Sequence, residues 1–372
     1  MVGLYVDPEY KTMLGVSFYD RLREVDRLDG LTRGYRVTIV YGPRNVGKSE
    51  LVYYWIRRRA VGRVVVFEAD RMRASTSIKG IARYLNAPED VKMTLLRRLT
   101  ELVLDRLNLL DVVLLVYELL EGIGGEVVVF LDEFHLLPKY RAIGYEDRGG
   151  EALADLEALA HRLAKEPGNG VRVVLTVSEG FIATGEVMAR LHGYSSEYML
   201  VEHMDSRHFK ALYDEYTHKT GCNTSYDTVY NIVGGTPGYL DELCKGEEAV
   251  ANFITRSKNL LENSLSNVRS TLDNLTLKEA KQLSDPIQLL RLAYEILSSK
   301  GIKPVEEPLH YTLGQLLTIH NIAYPLYKND TITFKPQIPI YRILLEIAVE
   351  KRLKSILEVN TKNIIQAIKH RG

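Results

Sequence analysis

The sequence has little cysteine and no excess of either charge. Its 372 residues include only Cys222 and Cys244, and 48 basic residues balance 48 acidic ones. Two cysteines are too few for a disulfide framework or a four-ligand zinc site, so we expect a reducing cytoplasm. A hydrophobic content of 46% excludes a disordered chain. The length predicts two or three domains.

Long apolar runs are also missing. The most apolar stretch, residues 102–120, is interrupted by Asp105, Arg106, Asp111 and Glu118. Each of these charges costs about 2.5 to 3.5 kcal/mol near the centre of a bilayer. The N-terminus has no basic start followed by an apolar core, so no signal peptide is expected. We predict no membrane partner.

Zero net charge conceals an uneven distribution. Residues 256–372 contain 17 Lys and Arg against 11 Asp and Glu. The rest of the chain is therefore acidic. The C-terminal third is the expected face for an anionic partner, although a basic solvated surface explains the same charge.

The first two thirds of the chain alternate β-branched runs with helical patterns. This alternation predicts an α/β core, residues 1–204, with a parallel sheet covered by helices on both faces. Five strands are expected, at 36–41, 64–69, 127–131, 171–177 and 197–203. Helices are expected between them, at 48–59, 75–85, 91–121 and 150–165.

From residue 205 onward the β-branched runs stop. Helical patterns at 206–219, 226–233 and 239–257 predict a helical lid over 205–275, which a polar stretch at 262–274 would end. Residues 276–372 form the third predicted domain. Its helices at 286–300 and 313–320 precede a short strand at 331–334, and this order is that of a winged helix.

A glycine-rich loop follows the first strand. The sequence GPRNVGKS at 42–49 matches the phosphate-binding pattern G-x-x-x-x-G-K-[ST], and it lies between a predicted strand and a predicted helix. Loop N–H groups and the helix N-terminus would hold phosphate, Lys48 would bridge the β- and γ-phosphates, and Ser49 would bind magnesium. The predicted nucleotide contacts are Gly42, Pro43, Arg44, Asn45, Val46, Gly47, Lys48, Ser49 and Glu50.

Two carboxylates end the strand VVVFLDE at 127–133. Asp132 is predicted to hold magnesium, and Glu133 to orient and polarise the attacking water. The next strand, VVLTVSE at 173–179, ends in the hydroxyls of Thr176 and Ser178. In P-loop ATPases with an extra strand between the two motifs, this neighbouring strand delivers a polar sensor to the γ-phosphate. Either hydroxyl fits that role.

Five segments in this order resemble the archaeal ATPase family within the AAA+ and STAND superfamilies. They are FYDRLRE at 18–24, GPRNVGKS, VVVFLDEFH, VVLTVSEGF at 173–181 and GGTPGYL at 234–240. The resemblance implies an ATPase core of the AAA+ type with a five-stranded parallel sheet, a helical lid and often a C-terminal winged helix. The implied ligands are ATP or ADP with Mg²⁺.

The resemblance also assigns residues outside the loop. Phe18, Tyr19 and Arg21 match the family segment that lies against the adenine. Pro237 matches the lid proline that contacts the base and reports its presence to the next domain.

The chain departs from the family in three places. Leu22 replaces an acid after the FYDR arginine, the strand at 197–203 lacks a preceding Gly-Arg pair, and the lid lacks an obvious sensor arginine near Pro237. Arg141, Arg148 and Arg190 are candidates for an arginine that acts on a neighbouring molecule, although a surface charge explains each of them better. We expect hydrolysis to be slow.

Two classes of function fit these features. The first is an ATP-dependent switch whose lid and C-terminal domain respond to nucleotide and act on a protein partner or on further copies of the chain. The second is a DNA-binding ATPase that resembles archaeal replication initiators and uses the winged helix on duplex DNA. The candidate second helix, 313–322, carries only His320 as a positive group, which favours the switch.

Overall fold

The computed structural model describes most of the chain. It describes residues 5–60, 62–68, 126–136, 145–165, 170–178, 194–273, 285–328 and 330–369, together with 111, 113 and 191. The helices expected at 75–85 and 91–121 lie outside these continuous ranges. By its contacts the chain divides into two compact units, one comprising Met1–Asp20, Pro43–Gly47 and Glu202–Gly372, the other Arg21–Gly42 and Lys48–Val201.

The described strands and helices are numbered here in chain order. The strands are β1 (Val6–Lys11), β2 (Ser17–Tyr19), β3 (Val37–Tyr41), β4 (Arg63–Glu68), β5 (Val127–Asp132), β6 (Val171–Val177), β7 (Ser196–Leu200), β8 (Ala323–Lys328) and β9 (Thr331–Pro336). The α-helices are α1 (Leu22–Gly34), α2 (Lys48–Arg58), α3 (Tyr145–Lys165), α4 (Ser206–Thr220), α5 (Tyr226–Val233), α6 (Leu240–Leu243), α7 (Glu247–Asp273), α8 (Pro286–Ser298), α9 (Pro308–Ile319), α10 (Pro339–Glu350) and α11 (Thr361–Lys369).

A five-stranded parallel sheet forms the centre of the second unit. Its strand order is β4-β5-β6-β3-β7, and every neighbouring pair is parallel. The strands β3, β4, β5 and β6 are Val-rich and almost wholly buried, as expected for a sheet covered on both faces, whereas the edge strand β7 is only partly buried. The predicted α/β fold and its five strands are therefore confirmed. Because all strands run the same way, their carboxyl ends meet at one edge, where ligands bind in open α/β sheets.

Helix α2 follows β3 directly. Glu50 in its first turn and Arg57 and Arg58 in its last turn complement the helix dipole. The helix buries its apolar side against the sheet, and the ring of Tyr53 meets Phe130 of β5 edge-on at 5.4 Å. The middle of α2 is thereby held against β5.

The first unit is mostly helical, with two antiparallel hairpins. The hairpin β1–β2 is not predicted by the sequence patterns, whereas β8–β9 contains the strand expected at 331–334. Helices α8 and α9 precede β8–β9, so the element order helix, helix, hairpin is the expected one. One hydrophobic core joins these helices and the lid helices, with Phe209, Phe253 and Phe334 among its largest buried side chains.

The lid differs from the expected single helix at 239–257. A 3-10 turn, Pro237–Tyr239, leads into the short α6, and the long α7 then runs through the polar stretch expected to end the lid. Leu265, Val268 and Leu272 are buried within that stretch, at helical spacing from the buried Leu261 that precedes it. Their burial continues the helix because a helix in a protein is stabilised mainly by packing of its apolar face.

A disulfide joins Cys222 to Cys244 within the first unit. The sequence interpretation counted too few cysteines for a disulfide framework and did not predict this pair. The bond closes the segment that contains α5, the 3-10 turn Pro237–Tyr239 and α6. A bridge between residues 22 positions apart lowers the conformational entropy of the unfolded chain. In the loop-entropy account this raises the free energy of unfolding by about 3 kcal/mol.

Among the described residues, none of the helices combines the length and the apolar character that crossing a bilayer requires.

Candidate functional site

The glycine-rich loop connects β3 to α2. A Cβ atom on Gly42 would lie 2.2 Å from the carbonyl oxygen of Val201, so only glycine fits at this position. Asn45 and Gly47 have φ values of 63° and 95°, in the left-handed region. The chain therefore turns back on itself before α2 begins at Lys48. This places the N–H groups of the first helical turn at the carboxyl edge of the sheet.

Lys48 is buried, with 4% of its surface exposed. Its Nζ donates to the carbonyl oxygen of Gly42 at 3.1 Å, across the loop that it closes. The side chain is thereby held against its own loop, which reduces the conformational entropy that phosphate binding would otherwise cost.

Asp132 ends β5 and accepts two hydroxyl hydrogen bonds on the same oxygen. Ser49 Oγ donates to its Oδ1 at 2.6 Å, and Thr176 Oγ1 donates to its Oδ1 at 2.5 Å. The predicted magnesium ligands Ser49 and Asp132 are thus in direct contact. Thr176 also accepts from the backbone N–H of Glu133 at 2.8 Å, so one buried hydroxyl fixes both acidic residues.

Glu133 has a φ of 52°, in the left-handed region that non-glycine residues rarely adopt. Its Oε2 accepts from Ser178 Oγ at 2.6 Å and lies 3.5 Å from His135 Nε2. Backbone strain of this kind costs on the order of 1 to 3 kcal/mol and concentrates at functional sites. At Glu133 the backbone thus leaves the extended conformation of β5, and the carboxylate lies beside Ser178 and His135.

The electrostatics of the acidic cluster favour a cation. Burial and the charge of Glu133 raise the pKa of Asp132 to about 6, against the opposing hydrogen bonds from Ser49 and Thr176. The carboxylate of Glu68 contributes further in the same direction. Crowded, partly desolvated carboxylates of this kind are stabilised by a bound divalent cation.

Glu68 is the site residue that the sequence interpretation misses. It ends β4, pairs in register with Asp132, and is buried with its Oε1 accepting from Tyr53 Oη at 2.5 Å. An acid at the end of the apolar run VVVFE is the signal that could have found it. The expected pair of acids is therefore a group of three.

The structure brings together both hydroxyls that the sequence left open. Thr176 contacts Asp132 and the Glu133 backbone, whereas Ser178 contacts the Glu133 carboxylate. Arg141, Arg148 and Arg190, the candidates for an arginine acting on a neighbouring molecule, lie outside the residues whose side chains the structure describes.

The segment FYDR lies where β2 ends and α1 begins. Phe18 is buried and meets Tyr10 edge-on at 5.8 Å. Arg21 is buried too, has a φ of 64°, and pairs with Glu24 at 3.1 Å. Glu24 therefore supplies the carboxylate partner although Leu22 occupies the position where the family usually has an acid.

Tyr19 is tied to the lid helix α4 through Glu215. Tyr19 Oη donates to Glu215 Oε2 at 2.8 Å, and the backbone N–H of Ser17 donates to the same oxygen at 3.0 Å. Lys219 Nζ donates to Oε1 at 2.5 Å. The segment expected to lie against the adenine is thereby fixed to α4 within one unit.

This anchor predicts an acid-sensitive part of the first unit. Burial opposes ionisation of Glu215, but the hydrogen bonds from Lys219, Ser17 and Tyr19 outweigh it and lower its pKa to about 2. A depressed carboxyl pKa contributes stability that is complete above the unfolded value, 4.5, and is lost as the pH falls towards 2. We expect Glu215→Gln to remove part of the acid-induced loss of stability between these values.

The measurement is the unfolding midpoint in urea of wild type and Glu215→Gln across this pH range. Hydrogen bonds to a charged group contribute about 1.5 to 3 kcal/mol, so the variant should be less stable at pH 7 by about this amount. Glu247→Gln, at an exposed position in α7, is the matched control. Parallel pH curves for wild type and Glu215→Gln would show that Glu215 does not anchor the hairpin.

Two glycines of GGTPGYL allow close approaches to neighbouring segments. A Cβ on Gly235 would lie 1.9 Å from the carbonyl oxygen of Met204, and a Cβ on Gly238 would lie 2.8 Å from Asn45 Cβ. The backbone N–H of Gly238 donates to the carbonyl oxygen of Asn45 at 3.1 Å. The turn that begins at Pro237 is thus in direct contact with Asn45 of the glycine-rich loop, in the same unit.

A lid arginine, which the sequence interpretation did not find, lies near this turn. Arg256 of α7 pairs with Glu242 at 2.6 Å, and its guanidinium lies 5.0 Å from the ring centre of Phe253. Burial raises the pKa of Tyr239, and a hydrogen bond with Asn45 and the charges of Arg44 and Arg256 oppose that rise. A position on the helix after the lid turn is the signal that could have identified Arg256.

Known proteins resemble this chain in sequence and in fold. The sequence model of a family described as an ATPase domain predominantly from Archaea matches residues 18–243, more than half of the chain. Among curated proteins, none matches. The Walker-type ATPase PABY2304 of Pyrococcus abyssi is similar in structure, with a TM-score of 0.50 at 20% identity over 89% of this chain and 96% of that chain.

Two proteins of Aeropyrum pernix are more distant. The ORC2 protein, solved with ADPNP and ADP, has a TM-score of 0.42 at 14% identity, with 95% of each chain covered. The ORC1 protein, solved with DNA, has a TM-score of 0.41 at 15% identity, covering 89% of this chain and 92% of that chain.

Proposed function

Because the chain belongs to the family of ATPase domains found predominantly in Archaea, we propose that it is an ATP-hydrolysing switch of the AAA+ and STAND type. In this proposal Mg-ATP binding changes the state of the lid, residues 205–275, and of the winged-helix-like C-terminal domain, residues 276–372. The observation that supports it most strongly is the contact of Ser49, Thr176 and Ser178 with Asp132 and Glu133 beside the start of α2.

The residues of the second unit fit a magnesium-bound nucleotide. Ser49 Oγ and the Asp132 carboxylate are oxygen ligands of the kind that Mg²⁺ takes, and they already lie within 2.6 Å of each other. When bound, Mg²⁺ and the triphosphate supply charge neutralisation and the phosphorus that water attacks. Lys48 and the N–H groups at the start of α2 then hold the phosphates.

Glu133 is the proposed general base, and Ser178 the residue that orients it. A carboxylate that accepts a water proton must be aimed at the water, and the hydroxyl of Ser178 holds Oε2 of Glu133 in one direction. Thr176 fixes the neighbouring Asp132 in the same way. We assign the sensor role to Ser178 because it touches the proposed base, and a structural role to Thr176.

We assign the base of the nucleotide to Phe18, Tyr19, Arg21 and Pro237, on the strength of the family resemblance. Tyr19 is fixed to α4 by Glu215, and the turn after Pro237 contacts the loop residue Asn45. The proposed ligands are ATP or ADP and Mg²⁺. The proposed partner is another protein or a further copy of the chain, and no membrane partner is proposed. The proposed location is the cytoplasm. The Cys222–Cys244 disulfide counts against a cytoplasmic location, because disulfides are rare in the cytosol of mesophiles.

The experiment that tests the switch is a comparison of wild type with Pro237→Ala. We expect ATP to change the small-angle scattering of wild type and to change it less in the variant, while Lys48-dependent nucleotide binding persists in both. The reason is that a ligand shifts a two-state equilibrium only through contacts that differ between the states, and base contact at Pro237 would be one of them.

Pro286→Ala, at the first residue of α8, is the control for loss of a proline in the same unit. Its scattering should respond to ATP as wild type does. If wild-type scattering is the same with and without saturating ATP, the switch is wrong and a passive ATP-binding domain replaces it.

Duplex DNA is the second candidate ligand. An exposed basic turn, Lys351, Arg352 and Lys354, follows α10 and could meet phosphates. The predicted reading helix α9 counts against it, since its described residues contain no Lys or Arg. Salt-dependent binding of a labelled duplex that is lost on replacing the three basic residues by Ala would favour this function over the switch.

A further inference from the structure

The phosphate loop makes a hydrogen bond that its own motif does not explain. The backbone N–H of Arg44 donates to the side-chain oxygen Oε1 of Gln337 at 3.2 Å. Gln337 lies between β9 and α10, in the part of the first unit that follows the lid. Arg44 belongs to the same unit through Pro43–Gly47. The proposed phosphate loop is therefore in contact with the C-terminal part of the chain.

Gln337 is held on both sides. Its backbone N–H donates to the carbonyl oxygen of Ile322 at 2.8 Å, and its Nε2 donates to that of Ala323 at 3.0 Å. A carbonyl oxygen can only accept, so the Nε2 atom must face Ala323 and the Oε1 atom must face the loop. The side chain is 6% exposed. The hairpin β8–β9 thus fixes the amide in the one orientation that accepts from Arg44.

Other contacts converge on the same place. The space beside Gly234 is filled by Pro339, the first residue of α10, whose Cγ would lie 3.2 Å from an added Cβ. Burial raises the pKa of Tyr341 to about 12, and the charge of Arg44 opposes the rise, so Arg44 lies near α10. With the bond from Gly238 to Asn45, the loop, the lid turn and the start of α10 form one contact cluster.

We propose that Gln337 is a positioning residue that couples the phosphate loop to the C-terminal domain. It acts through the Arg44 N–H and touches no reacting atom. The inference rests on the proposed ATP-binding function and deepens it by naming the contact through which the loop and the domain respond to each other. A coupling of this kind is reciprocal: if ATP changes the domain through Gln337, the domain changes the affinity for ATP by the same factor.

The test is Gln337→Met, which keeps the volume and removes both side-chain hydrogen bonds. Hydrogen exchange is followed for residues 42–58 and 323–350, with and without Mg-ATP. In wild type, ATP should slow exchange at 42–58 and change it at 323–350. In Gln337→Met the response at 42–58 should remain and the response at 323–350 should disappear. The dissociation constant for ATP should rise about fivefold to tenfold, because the neutral hydrogen bond between the Arg44 N–H and Gln337 is lost.

Two further variants keep the result interpretable. Gln337→Asn retains the amide but is too short to bridge both partners, so it should reproduce the effect if the Met variant does not fold. Gln315→Met makes the same substitution on α9, where the amide atoms are buried and, among the described residues, make no hydrogen bond. This control should respond to ATP as wild type does.

The outcomes separate the two proposals. If wild type shows no ATP-dependent protection at 42–58, the proposed ATP-binding function is wrong. If wild type is protected there but Gln337→Met still transmits the full response to 323–350, the coupling role of Gln337 is overturned and the proposed function stands.

Discussion

Lys48→Ala is expected to raise the dissociation constant for Mg-ATP by at least about 100-fold, which corresponds to about 2.7 kcal/mol. Lys48 is the buried cation that closes the loop onto Gly42, and the backbone N–H groups cannot replace its charge. Hydrogen bonds from a charged group contribute about 1.5 to 3 kcal/mol each, and a bridging lysine makes more than one. The measurement is isothermal titration calorimetry with Mg-ATP.

The control for this prediction is Lys165→Ala, at an exposed position near the end of α3 in the same unit. It removes the same charge from the unit without touching the loop and should bind ATP as wild type does. Circular dichroism should show that both variants fold. Equal ATP affinity in wild type and Lys48→Ala would remove the assignment of 42–49 as the phosphate site.

Glu133→Gln is expected to keep Mg-ATP bound while turnover falls by about 100-fold to 10,000-fold, the usual contribution of a general base. Glutamine keeps an oxygen that can accept from Ser178, so the geometry at Oε2 is preserved while the basic carboxylate is lost. Phosphate release under saturating Mg-ATP measures the rate, and calorimetry measures the binding.

Asp132→Asn should behave differently, because Asp132 is the proposed magnesium ligand. In this variant, ATP binding should no longer depend on Mg²⁺, and ATP turnover should be lost as well. Glu126→Gln, at the exposed residue immediately before β5, is the matched control and should hydrolyse ATP at the wild-type rate. A Glu133→Gln variant that turns over as fast as wild type would refute the division of roles between the two acids.

Local patterns were sufficient to predict the sheet and the glycine-rich turn between β3 and α2. The strands are buried β-branched runs, and the loop is a contiguous motif of eight residues, 42–49. The sequence of the hairpin strand β1, VDPEYK, does not predict a strand because it contains a proline and alternating charges. The second half of α7 has many polar residues on its surface, so the sequence pattern does not reveal the row of buried residues that continues the helix.

Contacts between distant residues could not be predicted in the same way. Arg44 and Gln337 are separated by 293 positions, and no single-sequence pattern links a loop N–H to one glutamine. Glu68 becomes part of the acidic group only because β4 pairs with β5 in register, so that Glu68 lies beside Asp132. Motifs therefore identify the candidate residues of the site, whereas the electrostatics of the site and its contacts with distant residues require the fold.

The most direct test of the switch is hydrogen exchange of wild type over residues 205–350, without nucleotide, with Mg-ADP and with Mg-ATP. The account predicts that Mg-ATP changes exchange in the lid turn 234–243 and around 337–341, and that Mg-ADP gives a different pattern. Identical exchange in all three states, in a protein that calorimetry shows to bind ATP, would contradict it.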